Sequence, residues 1–257
     1  MTGPRVIVTN DDGIDSPGLR RLAESLAESY DVVVAAPASD MSGSGTGIGR
    51  FDPGLGVEMT PVEIGDYDAY RIAGPPGLAV MGAALGAFGR FPDMVISGVN
   101  AGVNTGHSII HSGTVGAALT ARTFRIKGLA VSLAQSDPWQ WDTAVTVAVS
   151  AVRWMLGRQG HQVLNVNVPA VAIDEVNGAH WADLDEFGYF RVANAAVEDE
   201  RLQFVVGPSS AGSDPASDTA LCEKGYVTVT PLSSVEPAPF PDVDPGRIVG
   251  LGQRGHG

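Results

Sequence analysis

The sequence predicts an α/β fold: a Rossmann-like core with a mostly parallel sheet and helices on both faces, plus a smaller β-rich extension at the carboxyl end. Three observations carry that expectation. Apolar runs alternate with helical segments along residues 5–169, the pattern of parallel strands joined by right-handed crossovers. The runs are apolar at successive positions, as strands buried on both faces require. Several of them stop abruptly in small polar or acidic residues, where open parallel sheets bind their ligands.

The first such run, residues 6–9 ("VIVT"), reads as a buried strand. Ser16 can cap the next helix and Pro17 fits its first turn. Leu19, Leu22, Ala23 and Leu26 then form one apolar stripe at helical spacing. "DVVVAAP", 31–37, is a second strand, so the chain opens β-α-β. A Gly/Ser-rich loop covers 38–50, and two shorter strands are expected over 57–64 and 69–74. A helix of small residues is expected over 77–88, a strand over 93–100, a capped helix over 112–124 and a strand over 128–134. Residues 141–157 read as a helix and 162–169 as a strand. Beyond Pro169 the pattern thins: strands at 202–208 and 225–232 flank a Gly/Ser/Asp loop, 207–219. The Pro- and Asp-rich stretch from Ser233 is expected to be irregular or partner-dependent. The expected division is a core over 1–170 and an extension over 171–257.

The 257 residues allow one large α/β domain with an appendage, and 44% apolar residues suffice for a sizeable core. A net charge of −13 argues against broad binding to nucleic acid or anionic membranes, since no basic surplus neutralises phosphates. A small anionic substrate would need a local positive focus, such as a metal ion. Cys222 is the only cysteine, which excludes a disulfide within the chain. The start, "MTGPRVIV", has no long apolar region or cleavage site, and no run nears the roughly 20 apolar residues that span a bilayer. The expectation is a soluble, cytoplasmic protein.

Three polar clusters fall at predicted strand ends: Asn10-Asp11-Asp12, the Ser-rich loop, and residues 97–100. Adjacent carboxylates in one dry site raise each other's pKa. A hard divalent ion such as Mg²⁺ or Mn²⁺ removes that conflict and takes oxygen ligands. Asp11 and Asp12 would supply charge, and Ser42 and Asn100 neutral oxygens. An Asp-Gly pair is also a common turn former, in which the acids only cap the next helix. "HSGTVGAA", 111–118, is a second clue: Ser112 as N-cap leaves the amides of Gly113 and Thr114 at a helix start, which binds phosphate. The same residues also make an ordinary cap.

Other phosphate chemistries lack their residues. There is no G-x-x-x-x-G-K-[ST] and no strand-to-helix G-x-G-x-x-G. An aspartyl-phosphate site would want a second acid at position 13, which is Gly13. His107 and His111 flank "SII" in an expected loop. His111, beside the cradle, could serve as acid, base or oxyanion donor, or simply be a surface histidine. Cys222 reads as a buried small residue rather than a nucleophile.

Taken together, "VTNDDGIDSPGLRRLAESL", "VVVAAPASDMSGSG", "PDMVISGVNAGVNTG", "SGTVGAAL", "VLNVNVP" and "GYVTVTPL" resemble, in order, the blocks of the SurE family of metal-dependent nucleotidases. The resemblance runs from residue 5 to about 232. It implies one divalent metal ion per subunit, Mg²⁺ or Mn²⁺, held by Asp11, Asp12, Ser42 and Asn100. It implies catalytic roles for Asp11, Asp12, Asn100 and Ser112. The phosphate pocket it implies is lined by Ser112, Gly113 and Thr114, and Asn10, Gly43, Ser44, Asn104 and His111 are further candidates for phosphate and substrate contact. It implies hydrolysis of nucleoside 5′/3′-monophosphates, and a homodimer or homotetramer that exchanges carboxy-terminal segments. Several positions depart from the family pattern. The loop before Ser42 reads "ASDM" without a basic residue, a G-T-P-x-D-C block appears as "AGPPGLAV", and His107 and His111 replace usual acidic and aromatic residues. Two alternatives therefore stand beside the nucleotidase: a phosphatase for another metabolite, and a paralogue that binds a phosphorylated ligand without turnover.

Overall fold

A computed structural model describes residues 3–50, 52, 54–188, 191–198, 201–207, 214–233 and 235. In chain order the first elements are β1 (Arg5–Thr9), α1 (Pro17–Ala27), β2 (Asp31–Pro37), β3 (Met59–Pro61), β4 (Asp68–Ile72) and α2 (Pro76–Ala84). Then follow β5 (Met94–Ala101), α3 (Gly113–Thr123), β6 (Lys127–Leu133), α4 (Trp141–Leu156) and β7 (Val163–Val168). The last are β8 (Ala179–Trp181), β9 (Arg191–Glu198), β10 (Arg201–Gly207), α5 (Asp218–Glu223) and β11 (Val227–Leu232). A 3₁₀ turn over His107–His111 leads into α3.

The main sheet has the order β3-β4-β2-β1-β5-β6-β7-β11-β8. From β4 to β7 all neighbours are parallel. β3 is antiparallel on one edge, and β11 joins β7 antiparallel with β8 outside it. The chain builds outward from β1 to β4, then returns to lay β5 on the other side of β1. That reversal opens a crevice beyond the carboxyl ends of β1 and β5.

Strand alternation divides the core between two helical layers. Val6 and Val8 face Leu19, Leu22 and Leu26 of α1 and Ala148, Val152 and Met155 of α4. Ile7, Val33 and Val95 face Ala79, Val80 and Ala83 of α2 and Ala117 and Ala121 of α3. Full burial of each large aliphatic side chain contributes about 1.5–3 kcal/mol. The mostly parallel sheet with helices on both faces agrees with the expectation, and β9 with β10 forms a separate antiparallel sheet.

Several local expectations need correction. The helix expected over 77–88 ends at Ala84, because Gly86 turns to φ +90° and Ala87 N bonds back to Gly82 O. Of residues 57–64 only Met59–Pro61 pairs as strand. Ser16 occupies the N-cap of α1, but its side chain makes no capping bond. α5 starts inside the expected 207–219 loop, with Ser217 capping it through Ala220 N. The stretch expected to be irregular beyond Ser233 falls, except for Val235, outside the described residues. Among the described residues no helix is long and apolar enough to cross a membrane.

Candidate active site

Where β1 ends, Asn10 closes a tight turn. Its side-chain amide donates to Gly13 O at 3.0 Å, and Gly13 N donates back to its Oδ1 at 3.2 Å. Gly13 takes φ +99°, which L side chains rarely adopt. Asn10 is wholly buried, so its place is under the acids, shaping the turn that presents them. Met41 N donates to Asp11 O at 2.7 Å and ties the loop after β2 to the same turn.

Asp11 is 97% buried, with a relative exposure of 3%. Its Oδ1 accepts a short hydrogen bond from Thr114 Oγ1 on α3. The same hydroxyl lies 3.4 Å from Asn100 Oδ1. Asn100 is aimed there by a bulge: between Ser97 and Asn100, β5 carries one residue more than β6. Gly98 at φ +141° allows it, and a β-carbon there would meet Val131 O at 2.4 Å. The Asn100 amide nitrogen donates to Gly102 O at 2.7 Å, which leaves its oxygen toward Thr114. Asp12 Oδ2 accepts from Ala101 N at 3.3 Å. β1, β5 and the start of α3 thus converge on one point.

The amino end of α3 is pressed against that point. A β-carbon on Gly113 would sit 2.7 Å from Asp11 Oδ2 and 2.5 Å from Ser44 Oγ. The buried Ser44 hydroxyl has no hydrogen-bond partner among the described residues. Gly43 takes φ +84° with open space around it. Ser112 is a buried N-cap whose hydroxyl accepts from Val115 N at 3.2 Å. His111, exposed, ends the 3₁₀ turn, and its carbonyl accepts from Gly45 N at 3.1 Å.

Burial, then the neighbouring charges of Asp11 and Asp40, push the Asp12 carboxyl up to about 6 against the Ala101 N–H. Among the described residues no ion pair reaches Asp11 or Asp12 (the six salt bridges lie elsewhere). Two crowded carboxylates with neutral oxygens nearby suit a hard divalent ion, which is commonly held by one or two carboxylates and waters. Among the described residues no three His, Cys, Asp or Glu side chains gather as a larger metal cluster.

Two expected site residues have other attachments. Ser42 is exposed, and its hydroxyl and amide donate to Asp40 Oδ1 at 2.6 and 2.8 Å, which holds the Asp40 carboxyl below the usual range. Asn104 is an anchor: its N–H donates to Asn167 Oδ1, its carbonyl accepts from Asn165 and Asn167, and its side chain donates to Ser132 Oγ, all at 2.8 Å. Sequence reasoning missed Asp40, Asn165 and Asn167. "NVN" in a buried strand held the signal, since two amides on one inward face must find partners.

A family profile described as "Survival protein SurE" matches residues 6–190. A "5'-nucleotidase SurE" of Alkalilimnicola ehrlichii is 36% identical, with 96% of each chain covered. A "5'/3'-nucleotidase SurE" of Shigella dysenteriae serotype 1 is 34% identical, over 89% of this chain and 87% of the relative. The crystal structure of SurE protein from Aquifex aeolicus superimposes with a TM-score of 0.76 at 29% identity, covering 89% of this chain and 93% of that one.

Proposed function

This chain belongs to the SurE family, and from that premise we propose that it is a phosphoric monoester hydrolase acting on nucleoside 5′/3′-monophosphates with one divalent ion, Mg²⁺ or Mn²⁺, per subunit. The observation that carries the reading is the seating of the α3 amino end on Asp11, with Asp12 and Asn100 beside it. Asp11, Asp12 and Asn100 would hold the ion, with Ser42 supplying a further oxygen once its loop is engaged. When bound, such an ion supplies Lewis acidity and makes an attacking water more acidic.

The chain's own groups do the rest. The amides at the start of α3 bind and orient the phosphoryl oxygens, helped by the helix dipole. Thr114, by donating to Asp11, fixes the direction of that carboxylate. Ser44, unpartnered among the described residues, offers its hydroxyl to the same pocket. His111, exposed just before α3, would protonate the leaving alkoxide. Phosphoryl transfer asks for little beyond positioning and charge neutralisation.

The β9–β10 hairpin exposes Val197 and Phe204, and we assign it to subunit contact in a homodimer or homotetramer acting in the cytoplasm. Phosphate release from a panel of monoesters, with Mg²⁺ or Mn²⁺, tests the function by comparing the native protein with Asp11→Asn. Release by the native protein alone is expected. Equal release by both ends this mechanism, and ligand-dependent thermal stabilisation without hydrolysis favours a non-catalytic binding protein.

A further inference from the structure

One side chain of the carboxy-terminal extension reaches the loop that leads into the site. Asp218, the first residue of α5, is completely buried. Its Oδ2 accepts from Gly106 N at 2.9 Å, and its Oδ1 from Asp185 N at 3.0 Å and Thr219 N at 2.8 Å. Beside it, Thr219 Oγ1 bonds Thr105 Oγ1 at 2.9 Å. Capping of α5 does not require this acid, because Ser217 already accepts from Ala220 N. A buried carboxylate without a cation is costly unless N–H donors surround it. Here the donors come from three segments far apart in the chain.

The grip falls on a sensitive place. At Gly106 the backbone turns, φ +62°, into the 3₁₀ turn that runs to Ser112, the cap of α3. A β-carbon on Gly106 would meet Gly188 N at 2.3 Å, and one on Gly188 would meet Thr105 O at 2.1 Å. His107 N donates to Asp185 O at 3.0 Å. Residues 105–107 are therefore clamped between segment 185–188 and α5, just after Asn104 is fastened to β6 and β7. Further along, Ile109 packs into the core and the His111 carbonyl accepts from Gly45 N.

We propose that Asp218 is a positioning residue: by holding Gly106 it fixes segment 105–112, and through it the α3 amino end, against Asp11. Asp218 stands beyond residue 190, where the family profile match stops. The consequence for turnover rests on the phosphomonoesterase reading; the consequence for loop order does not.

The test compares three full-length variants. Asp218→Asn turns a donor toward Gly106 N. Thr219→Val removes the neighbouring bond to Thr105. Ser217→Ala removes the α5 cap and the Ser217–Asp185 bond at 2.9 Å without touching Gly106. Hydrogen exchange of peptides covering 104–115 is read by mass spectrometry, beside kcat and KM for a nucleoside monophosphate with Mn²⁺. Asp218→Asn is expected to speed exchange at 105–112 about tenfold or more and to lower kcat in proportion, with Thr219→Val acting on the same peptides and Ser217→Ala, which leaves Gly106 N its acceptor, acting on them clearly less. Unchanged exchange, or the same change in Ser217→Ala, overturns the proposal. If Asp218→Asn does not fold, Thr219→Val decides by the same peptides. A native protein that hydrolyses no monoester removes the phosphatase reading while the exchange result still judges Asp218.

Discussion

Gly113 and Asp11 are packed so closely that a β-carbon on the glycine would stand 2.7 Å from both Cβ and Oδ2 of the aspartate. No positive φ accounts for this glycine. It is required by the approach of α3 to the end of β1, the contact that joins a helix start to a carboxylate. Gly113→Ala should therefore cost stability by about 1–3 kcal/mol through overpacking, although alanine favours a helix. Phosphatase activity should fall about a hundredfold or more, since misplacement of about 1 Å is enough for that. Urea unfolding and steady-state kinetics on the same preparation check both parts.

Asp12 stands beside Asp11 and Asp40, and among the described residues no cationic side chain pairs with it. Asp12→Asn keeps an oxygen for Ala101 N and removes one of the repelling charges. The metal-free variant should melt a few degrees, about 2–4 °C, above the metal-free native protein. The rise in melting temperature on adding Mn²⁺ should disappear. Differential scanning calorimetry with chelator and with Mn²⁺ gives both numbers.

Much of this fold is legible in the sequence where burial is continuous. β1, β2, β5, β6 and β7 are apolar runs, and α1 and α4 carry stripes or small apolar faces, so local pattern and tertiary role agree. β8 is different: its three residues are all exposed, and it exists because β11, some 46 positions later, pairs with it. α5 is six residues that begin at the end of a Gly/Ser/Asp stretch, too short to be stable without its buried face. At the site, the acids at the end of β1 and the polar step in β5 are visible as strand ends. The order of strands brings them together, and no local pattern encodes it. Asn10 and Asn104 look like ligands on paper, yet their amides close a turn and fasten a loop. Choice of hydrogen-bond partner is a property of the folded neighbourhood.

Asn167 tests that fastening. Its side chain satisfies both the N–H and the carbonyl of Asn104 from inside the sheet. Asn167→Ala leaves the Asn104 N–H without its acceptor, while the carbonyl keeps Asn165, and should destabilise the protein by about 1–3 kcal/mol. Asn167→Asp retains the acceptor for Asn104 N but faces the Asn104 carbonyl with a second acceptor, so it should not restore stability. Chemical denaturation of the pair against the native protein decides this.

Cys222 provides the pH dependence. Burial, then the charges of Asp218 and Glu223, push its thiol up to about 12. An unfolded chain ionises this thiol near pH ~8.5, so between that point and about 12 the folded state binds more protons. Stability must then fall as pH rises through this window, by at most ~1.4 kcal/mol per pH unit from this group. Cys222→Ala should flatten the alkaline limb of a stability–pH curve. At pH 8 a thiol reagent should label native protein only as fast as it opens.

Everything proposed for this site depends on Asp11 and Asp12 holding one divalent ion together at the foot of α3. Anomalous diffraction from crystals soaked in Mn²⁺ measures this directly. The predicted result is a single strong peak about 2–2.5 Å from carboxylate oxygens of both residues, within reach of the Asn100 side-chain oxygen. A saturating soak that leaves no peak between the two carboxylates, or places it elsewhere in the chain, rules out metal binding by this pair.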